Sequence, residues 1–179
     1  MNIRLLRGEE DRMGFRSGDV DLDRFFLRYA GQNQFRHHIG STYVALHEGR
    51  IVGFATVAPS VITAAALPTS KKKKLPQYPL PVLRLARLAV DEASRGAGVG
   101  SDLLRFVLIL VQRLASDYGC VGLVVDAKAS SVGFYGKLGF VALELVAGEL
   151  GDRPLPQAMF VELGAIPDPG RGGYTQDDR

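Results

Sequence analysis

The spacing of hydrophobic and polar positions predicts a strand, a helix and a β-hairpin in the first part of the chain. A strand is expected near 2–6, followed by a helix from Leu22 with Asp21 as its N-cap. The apolar face of this helix comprises Leu22, Phe25, Phe26, Tyr29 and Ala30. Two β-rich runs, 42–46 and 51–57, flank a short turn that contains Gly49, so we expect them to pair as antiparallel strands.

The middle of the chain combines a proline-rich stretch with a strand and a long helix. Five prolines and four consecutive lysines within 59–81 predict a long functional loop. An apolar strand over 82–90 is followed by a glycine-rich turn and by a helix that Gly119 is placed to end. The apolar stripe of this helix consists of Leu103, Leu104, Val107, Leu108, Val111 and Leu114.

The last third of the chain predicts a buried strand, a short helix and two further strands. The run 121–125 is entirely apolar, as in strands buried on both faces, and 130–137 suits a short helix. Strands are expected near 141–146 and 159–163. This order predicts an α+β fold with three layers, α/β/α, in one domain over 1–166. A tail rich in Gly, Pro and Asp over 167–179 is expected to be disordered.

Composition narrows the class of protein. With 179 residues, 46% of them hydrophobic, the chain fits one soluble domain. No apolar run reaches the roughly 18 residues of a membrane span, and the N-terminus lacks a signal-peptide core. We therefore expect a cytoplasmic protein with no membrane partner. The single cysteine, Cys120, excludes an internal disulfide and a cysteine-bound metal, and its apolar neighbours predict that it is buried.

Charge is distributed unevenly along the chain. The net charge is +3, but no acidic residue occurs between Glu48 and Asp91. The basic residues of that stretch are Arg50, Lys71, Lys72, Lys73, Lys74, Arg84 and Arg87. This concentration predicts a strongly basic face that would attract an anionic partner.

The glycine-rich turn Arg95-Gly96-Ala97-Gly98-Val99-Gly100 stands between the strand over 82–90 and the long helix. Backbone N–H groups at a helix N-terminus are unpaired and bind a pyrophosphate well, and glycines let the backbone approach it closely. A purely structural turn is the simpler alternative. A P-loop is excluded, because Gly100 is followed by Ser101-Asp102 with no lysine. A dinucleotide fingerprint, with Asp126 as ribose ligand, lacks its third glycine.

Two motifs in the second half resemble those of the GNAT acetyltransferase superfamily. The stretch 86–91 followed by Arg95-x-x-Gly98-x-Gly100 resembles its motif A, and Phe134-Tyr135-x-x-x-Gly139-Phe140 resembles the element after its fifth strand. The resemblance covers about 2–163. It implies a mixed, mostly antiparallel sheet with a V-shaped splay between the fourth and fifth strands.

The same resemblance implies acetyl-CoA as co-substrate, inserted into the splay, and no metal. Leu88, Ala89 and Val90 would line the pantetheine, and the Val90 N–H, at a bulge, would polarise the thioester carbonyl. The residues expected around the pyrophosphate are Arg95, Gly96, Ala97, Gly98, Val99, Gly100 and Ser101.

Tyr135 is the residue that this resemblance assigns to catalysis. Its hydroxyl would contact acetyl-CoA and act as general acid, protonating or hydrogen-bonding the leaving thiolate. The alternative is a core aromatic that packs beside Phe134. No motif sets a histidine base beside Cys120 or Ser131, so acetyl transfer to the amine is expected to be direct.

Three further segments resemble a narrower subgroup, the acetyltransferase toxins of bacterial toxin–antitoxin pairs. They are 15–26, with Ser17 where a cysteine is usual, Gln32-Asn33-Gln34, and the stretch from Leu75 to Val90. This subgroup implies a toxin that acetylates the α-amine of aminoacyl-tRNA and blocks translation, a cognate antitoxin and a homodimer.

The basic residues and the absence of a carboxylate base over 51–90 are consistent with the α-amine of aminoacyl-tRNA as acceptor. An α-amine, with a pKa of about 8, needs less help from a base than a lysine side chain at about 10.4. No Glu or Asp occurs over 51–90, where a GNAT base is often found. The candidate tRNA-binding residues are Arg36, Lys71, Lys72, Lys73, Lys74, Arg84 and Arg87. A small amine, a peptide or a protein N-terminus is the alternative acceptor, and a catalytically silent acetyl-CoA-binding module is a second alternative.

Overall fold

The computed structural model describes residues 1–68, 76, 78–143 and 156–167. The strands in this part are β1 (Asn2–Leu5), β2 (Ser41–His47), β3 (Arg50–Ile62), β4 (Leu80–Val90), β5 (Gly122–Ala127), β6 (Val141–Ala142) and β7 (Gln157–Glu162). They form one sheet in the order β1-β2-β3-β4-β5-β7-β6. The β4–β5 pair is parallel and the others are antiparallel, so the mixed, mostly antiparallel sheet is confirmed.

Helices cover both faces of this sheet and complete the three layers expected. On one face lie α2 (Val99–Asp117) and α3 (Val132–Lys137), which share a core cluster with β3, β4 and β5. On the other lies α1, which begins with Val20–Arg24 and continues through the π-helical segments Phe25–Tyr29 and Gln32–His37. Phe26 of α1 stacks on Phe54 of β3 with the ring centroids 4.3 Å apart.

The first helix differs from its prediction in two respects. Its N-cap is Asp19 rather than Asp21, because the Asp19 carboxylate accepts hydrogen bonds from the backbone N–H groups of Asp21 and Leu22, each at 3.1 Å. Its π-helical turns hydrogen-bond i to i+5, so the 3.6-residue pattern fails after Phe26. Tyr29, expected on the buried face, is therefore 45% exposed.

The hairpin between β2 and β3 is confirmed, whereas the long loop over 59–81 is shorter than predicted. β3 extends to Ile62 and pairs with β4 back to Leu80, and a 3₁₀ turn follows at Ala64–Ala66. Pro59 is tolerated because β2 begins opposite Val57, which leaves this end of β3 unpaired on its other edge. Residues Lys71, Lys72, Lys73 and Lys74 and the tail over 168–179 lie outside the described residues.

The predicted splay between β4 and β5 is present. The two strands pair at three positions, from Leu83 opposite Leu123 to Leu85 opposite Val125, and then separate. A β-bulge occurs at this point, because Leu85 faces Val57 and Arg87 faces Thr56, so Ala86 has no partner. A bulge bends its strand, which accounts for the departure of β4 from β5. We call the resulting gap, between 86–90 of β4 and 126–127 of β5, the opening.

Candidate active site

The β4 wall of the opening presents unpaired backbone groups. The Asp91 N–H donates to the Val52 carbonyl at 2.9 Å, so Ala89 and Arg87, two and four residues earlier, also pair with β3. The N–H and C=O groups of Leu88 and Val90 therefore point into the opening. The bulge expected at Val90 lies instead at Ala86, because the register between Gly53 and Val90 is regular. An extended ligand could pair with this edge as an additional strand.

The glycine loop forms a second wall, at the end of β4. Gly96 and Gly98 have φ angles of 80° and 81°, in the left-handed region that favours glycine, and Gly98 caps α2. A Cβ at either position would meet no atom within 4 Å, so the space in front of the loop is open. Within the described residues, these backbone N–H groups have no partner: Gly96, Gly98, Val99, Gly100 and Ser101. The Ala97 N–H is used internally, donating to the Ser94 carbonyl at 3.3 Å.

Asp91 holds the loop in this shape. It is 2% exposed, and its carboxylate accepts hydrogen bonds from the N–H groups of Ala93 and Arg16 and from the Arg50 guanidinium, each at 3.1 Å. The Arg95 guanidinium, expected at the pyrophosphate, donates to the Ser17 carbonyl, although its side chain stays 61% exposed. Sequence reasoning missed Asp91, since its partners are distant along the chain.

Tyr135, on α3, packs beside the β5 wall of the opening. Its ring is buried in the core cluster with Ala127 and Leu123, and the ring centroid lies 5.3 Å from that of Phe140. The hydroxyl makes no hydrogen bond in the described part of the chain, where every fully buried side-chain polar atom has a partner. The hydroxyl is therefore accessible. Burial raises the pKa of Tyr135 to about 12, so this hydroxyl is protonated at neutral pH.

Charged side chains border the opening on the face that carries α1. Arg84 donates to the Asp126 carboxylate at 2.5 Å, across the point where β4 and β5 separate. The bulge at Ala86 sets Arg87 on the same face as Arg84, where its guanidinium lies 3.8 Å from the ring centroid of Phe25. Desolvation lowers the pKa of Arg87 from its ordinary value, and this guanidinium has no ion-pair partner among the described residues.

Other residues singled out from the sequence take structural or peripheral positions. Gln34 is buried, donating to the Leu6 carbonyl at 2.9 Å and accepting from the Thr42 N–H at 2.7 Å, and so ties α1 to the sheet. Ser17 donates to Asp23 at 2.6 Å, and Cys120 is buried as predicted. Arg36 is exposed near the end of α1. The part of the chain that the structure describes contains no group of three or more residues placed to hold a metal.

Comparison with known proteins supports this geometry. The acetyltransferase (GNAT) domain family matches residues 38–142. The tRNA-acetylating toxin of Mycobacterium tuberculosis is 33% identical over 125 residues, covering 69% of this chain and 74% of that protein. AtaT complexed with acetyl-methionyl-tRNAfMet has a TM-score of 0.79 at 28% identity, covering 92% of this chain and 96% of that one. AtaTR bound with AcCoA has a TM-score of 0.73 at 28% identity, covering 92% and 95%.

Fold, opening and glycine loop together define a protein that accepts a CoA thioester along a splayed strand. The chain belongs to the GNAT family of acetyltransferases, whose domain match spans more than half of its length. It is an N-acetyltransferase with acetyl-CoA as co-substrate. The residues present fit that molecule, since within the described ranges the loop offers unpaired N–H donors without obstruction and the edge of β4 is free to pair. No helix in the described ranges is long and apolar enough to cross a membrane.

Proposed function

We propose that this protein transfers the acetyl group of acetyl-CoA to the α-amine of aminoacyl-tRNA and thereby acts as a toxin that blocks translation. The observation that carries the proposal is the half-buried Arg87 beside the opening, whose guanidinium has no ion-pair partner among the residues that the structure describes. A cation held in place over an aromatic ring, with its donors free, is suited to a phosphate. The resemblance to a tRNA-acetylating toxin and to AtaT supports the same acceptor.

Further arginines form a row along the outer side of α1. Arg24, Arg28 and Arg36 are exposed and are separated by multiples of four residues. Because α1 mixes α-helical turns with wider π-helical turns, residues four apart stay in line along one side. Arg24 pairs with Asp21, whereas Arg28 and Arg36 have no ion-pair partner among the described residues. This row suits a phosphate backbone whose end enters the opening at Arg87.

Acetyl-CoA is proposed to lie between the edge of β4 and the glycine loop. Leu88 and Val90 would pair with the pantetheine, with Ala89 packed behind them. Because the bulge lies at Ala86, the Leu88 N–H is nearer the apex of the opening and would polarise the thioester carbonyl in place of the Val90 N–H. The pyrophosphate would accept hydrogen bonds from the N–H groups of the loop that have no partner among the described residues. That loop comprises Arg95, Gly96, Ala97, Gly98, Val99, Gly100 and Ser101.

Transfer is proposed to be direct. The neutral amine attacks the thioester carbonyl carbon, forming the C–N bond and a tetrahedral intermediate whose oxyanion is held by the Leu88 N–H. The C–S bond then breaks with its electrons on sulfur, and Tyr135 acts as general acid or hydrogen-bond donor to the thiolate. The Tyr135 hydroxyl is protonated at neutral pH, so it can donate to the sulfur as the thiolate forms.

The proposed acceptor also predicts where the protein acts and which proteins it binds. An enzyme that uses charged tRNA is expected to act in the cytoplasm, and a toxin of this kind is expected to be held inactive by a cognate antitoxin. We also propose a homodimer, as the resemblance to the toxin subgroup implies. Light scattering of the purified protein at several concentrations tests this state, and a monomer throughout would contradict it.

The acceptor is tested by incubating the purified protein with labelled acetyl-CoA and either charged or deacylated tRNA. Label is expected on charged tRNA alone, because the ester-linked α-amine is the group that attacks. Mild alkaline hydrolysis of the aminoacyl ester should release the label as an acetylated amino acid. Equal labelling of both tRNAs, or of neither, would reject this acceptor and favour a small amine, a peptide or a protein N-terminus.

The arginine row makes a separate prediction. Replacing Arg28 and Arg36 together by Glu should raise KM for charged tRNA about tenfold or more and flatten its dependence on salt, since two phosphate contacts are lost. Acetyl-CoA affinity should not change. Arg113→Glu is the matched control, an exposed arginine on α2 across the sheet, and it should leave KM unaltered. A similar loss in both proteins would show a general charge effect rather than a binding row. Lys71, Lys72, Lys73 and Lys74 remain proposed contacts.

A further inference from the structure

We infer that Asp126 receives the amine of the acceptor, binding it during attack and accepting its proton as the amide forms. The inference rests on the proposed function, because it concerns the residue that faces the aminoacyl group. By sequence pattern alone, Asp126 fits the ribose ligand of a dinucleotide, a role that the missing third glycine disfavours. Its place in the sheet suggests a different use.

Asp126 lies where the acetyl group is expected. The last β4–β5 pair joins Leu85 to Val125, so Asp126 is the first residue of β5 beyond the apex of the opening. Side chains alternate along a strand, and Val125 and Ala127 face the cluster that contains Tyr135. Asp126 therefore projects from the opposite face, the one covered by α1. A thioester at the apex would have Tyr135 on one side and Asp126 on the other.

The surroundings of Asp126 leave it able to bind a cation. Arg84 donates to Oδ2, whereas Oδ1 makes no hydrogen bond within the described residues, and the side chain is 30% exposed. Its neighbour across the β5–β7 pair is Ala158, whose small side chain leaves room beside the carboxylate. Arg84 thus orients one oxygen and leaves the other facing the acceptor. A charged arginine–carboxylate bond has the geometric precision that such orientation needs.

The neighbouring carboxylates that the structure describes already have hydrogen-bond or ion-pair partners. Asp91 is buried and accepts three hydrogen bonds. Asp19 caps α1 and pairs with Lys128. Glu92 is paired with Arg95 at 3.8 Å at the start of the glycine loop. Asp126 is the carboxylate at the apex with an oxygen left for the acceptor.

The proton balance is simple. As the neutral amine attacks, its nitrogen becomes positively charged, and the Asp126 carboxylate stabilises that charge. One N–H proton then passes to Asp126 while the C–S bond breaks, and the sulfur takes a proton from Tyr135. The products are an amide and CoA thiol, and Asp126 and Tyr135 return to their starting states by exchange with water. No oxidant, metal or further reactant is needed.

The test compares Asp126→Asn and Asp126→Ala with the unaltered protein. Both variants should lose about 10²-fold or more in kcat/KM for charged tRNA and for an amino acid amide, while their acetyl-CoA affinity is unchanged. Asp126→Asn keeps the shape and a hydrogen bond to Arg84, so it guards against loss of folding. Glu10→Gln is the matched control, because Glu10 forms a half-buried pair with Arg4 on another edge of the fold, and it should retain activity.

Formate provides a readout that a structural role would not move. Added formate should restore activity to Asp126→Ala in a saturable manner and have no such effect on Asp126→Asn, whose amide fills the site. Normal turnover in either variant, or no rescue of the alanine variant, would overturn the inference. The proposed acceptor is judged separately, by whether the unaltered protein labels charged tRNA; the amino acid amide keeps the Asp126 comparison independent of that result. A protein inactive on both acceptors would overturn both proposals.

Discussion

Tyr135→Phe should bind acetyl-CoA with unchanged affinity and lose about 10²- to 10⁴-fold in kcat, because the change removes the hydroxyl and leaves the ring. The ring packs beside Phe134 and Phe140, so the fold should be retained. Steady-state kinetics with charged tRNA, together with calorimetric titration of acetyl-CoA, measures both quantities. The loss should appear in kcat rather than KM, since the leaving thiolate exists only after substrates are bound.

Tyr43→Phe is the control for this substitution. Tyr43 packs against the same core cluster and burial raises its pKa as well, but its ring contacts Phe106 of α2 and not α3. Normal turnover is expected. With an amino acid amide as acceptor, the unaltered enzyme should show no fall in rate up to about pH 10, because a pKa of about 12 leaves the Tyr135 hydroxyl protonated there. Full activity of Tyr135→Phe would assign Tyr135 to packing alone.

Gly98→Glu should abolish acetyl-CoA binding. The open space in front of Gly98 is where the pyrophosphate is proposed to lie, and a carboxylate there would add bulk and repulsion. The measurement is the rise in melting temperature on adding acetyl-CoA, which reports binding to the folded state. The unaltered protein should show a clear rise that increases with ligand concentration, and the variant should show none.

The Gly98→Glu substitution can lower the melting temperature through backbone strain as well as abolish acetyl-CoA binding, so a control must separate the two effects. Gly98 has a φ of 81°, so any side chain there costs about 1–2 kcal/mol. Gly49→Glu supplies the control, because Gly49 has a φ of 78° in equally open space at the β2–β3 turn. Both variants should melt at lower temperature, but Gly49→Glu should keep the acetyl-CoA shift. An undiminished shift in Gly98→Glu would remove the loop from the binding site.

The parts of the structure that the sequence predicted correctly are those set by local patterns. The strand over 82–90, the glycine turn and the helix ending before Gly119 all follow from neighbours in the chain. Gly96 and Gly98 adopt left-handed φ angles, which glycine reaches at no steric cost. The motif containing Tyr135 lies on the short helix expected over 130–137. These features predicted the fold and the backbone elements that surround the candidate active site.

The errors and omissions arise where distant residues decide the outcome. Helical periodicity assumes about 3.6 residues per turn, so it could not foresee the π-helical turns that expose Tyr29. The bulge at Ala86 depends on register with β3, which no local pattern specifies. The same holds for Arg84 and Asp126, which are 42 positions apart and meet because β4 and β5 are adjacent.

The bulge at Ala86 also constrains how this lineage can vary. Deleting that residue would leave Leu85 opposite Val57 and Arg87 opposite Thr56, so Arg87 and Leu88 would keep their faces, but it would remove the bend that parts β4 from β5. Deletion of this residue should therefore close the opening and be rejected by selection. Point substitutions at Arg84, Arg87 or Asp126 alter the α1 face alone. Related proteins can thus come to acetylate new amines by exchanging side chains on the α1 face. The face that binds acetyl-CoA stays unchanged.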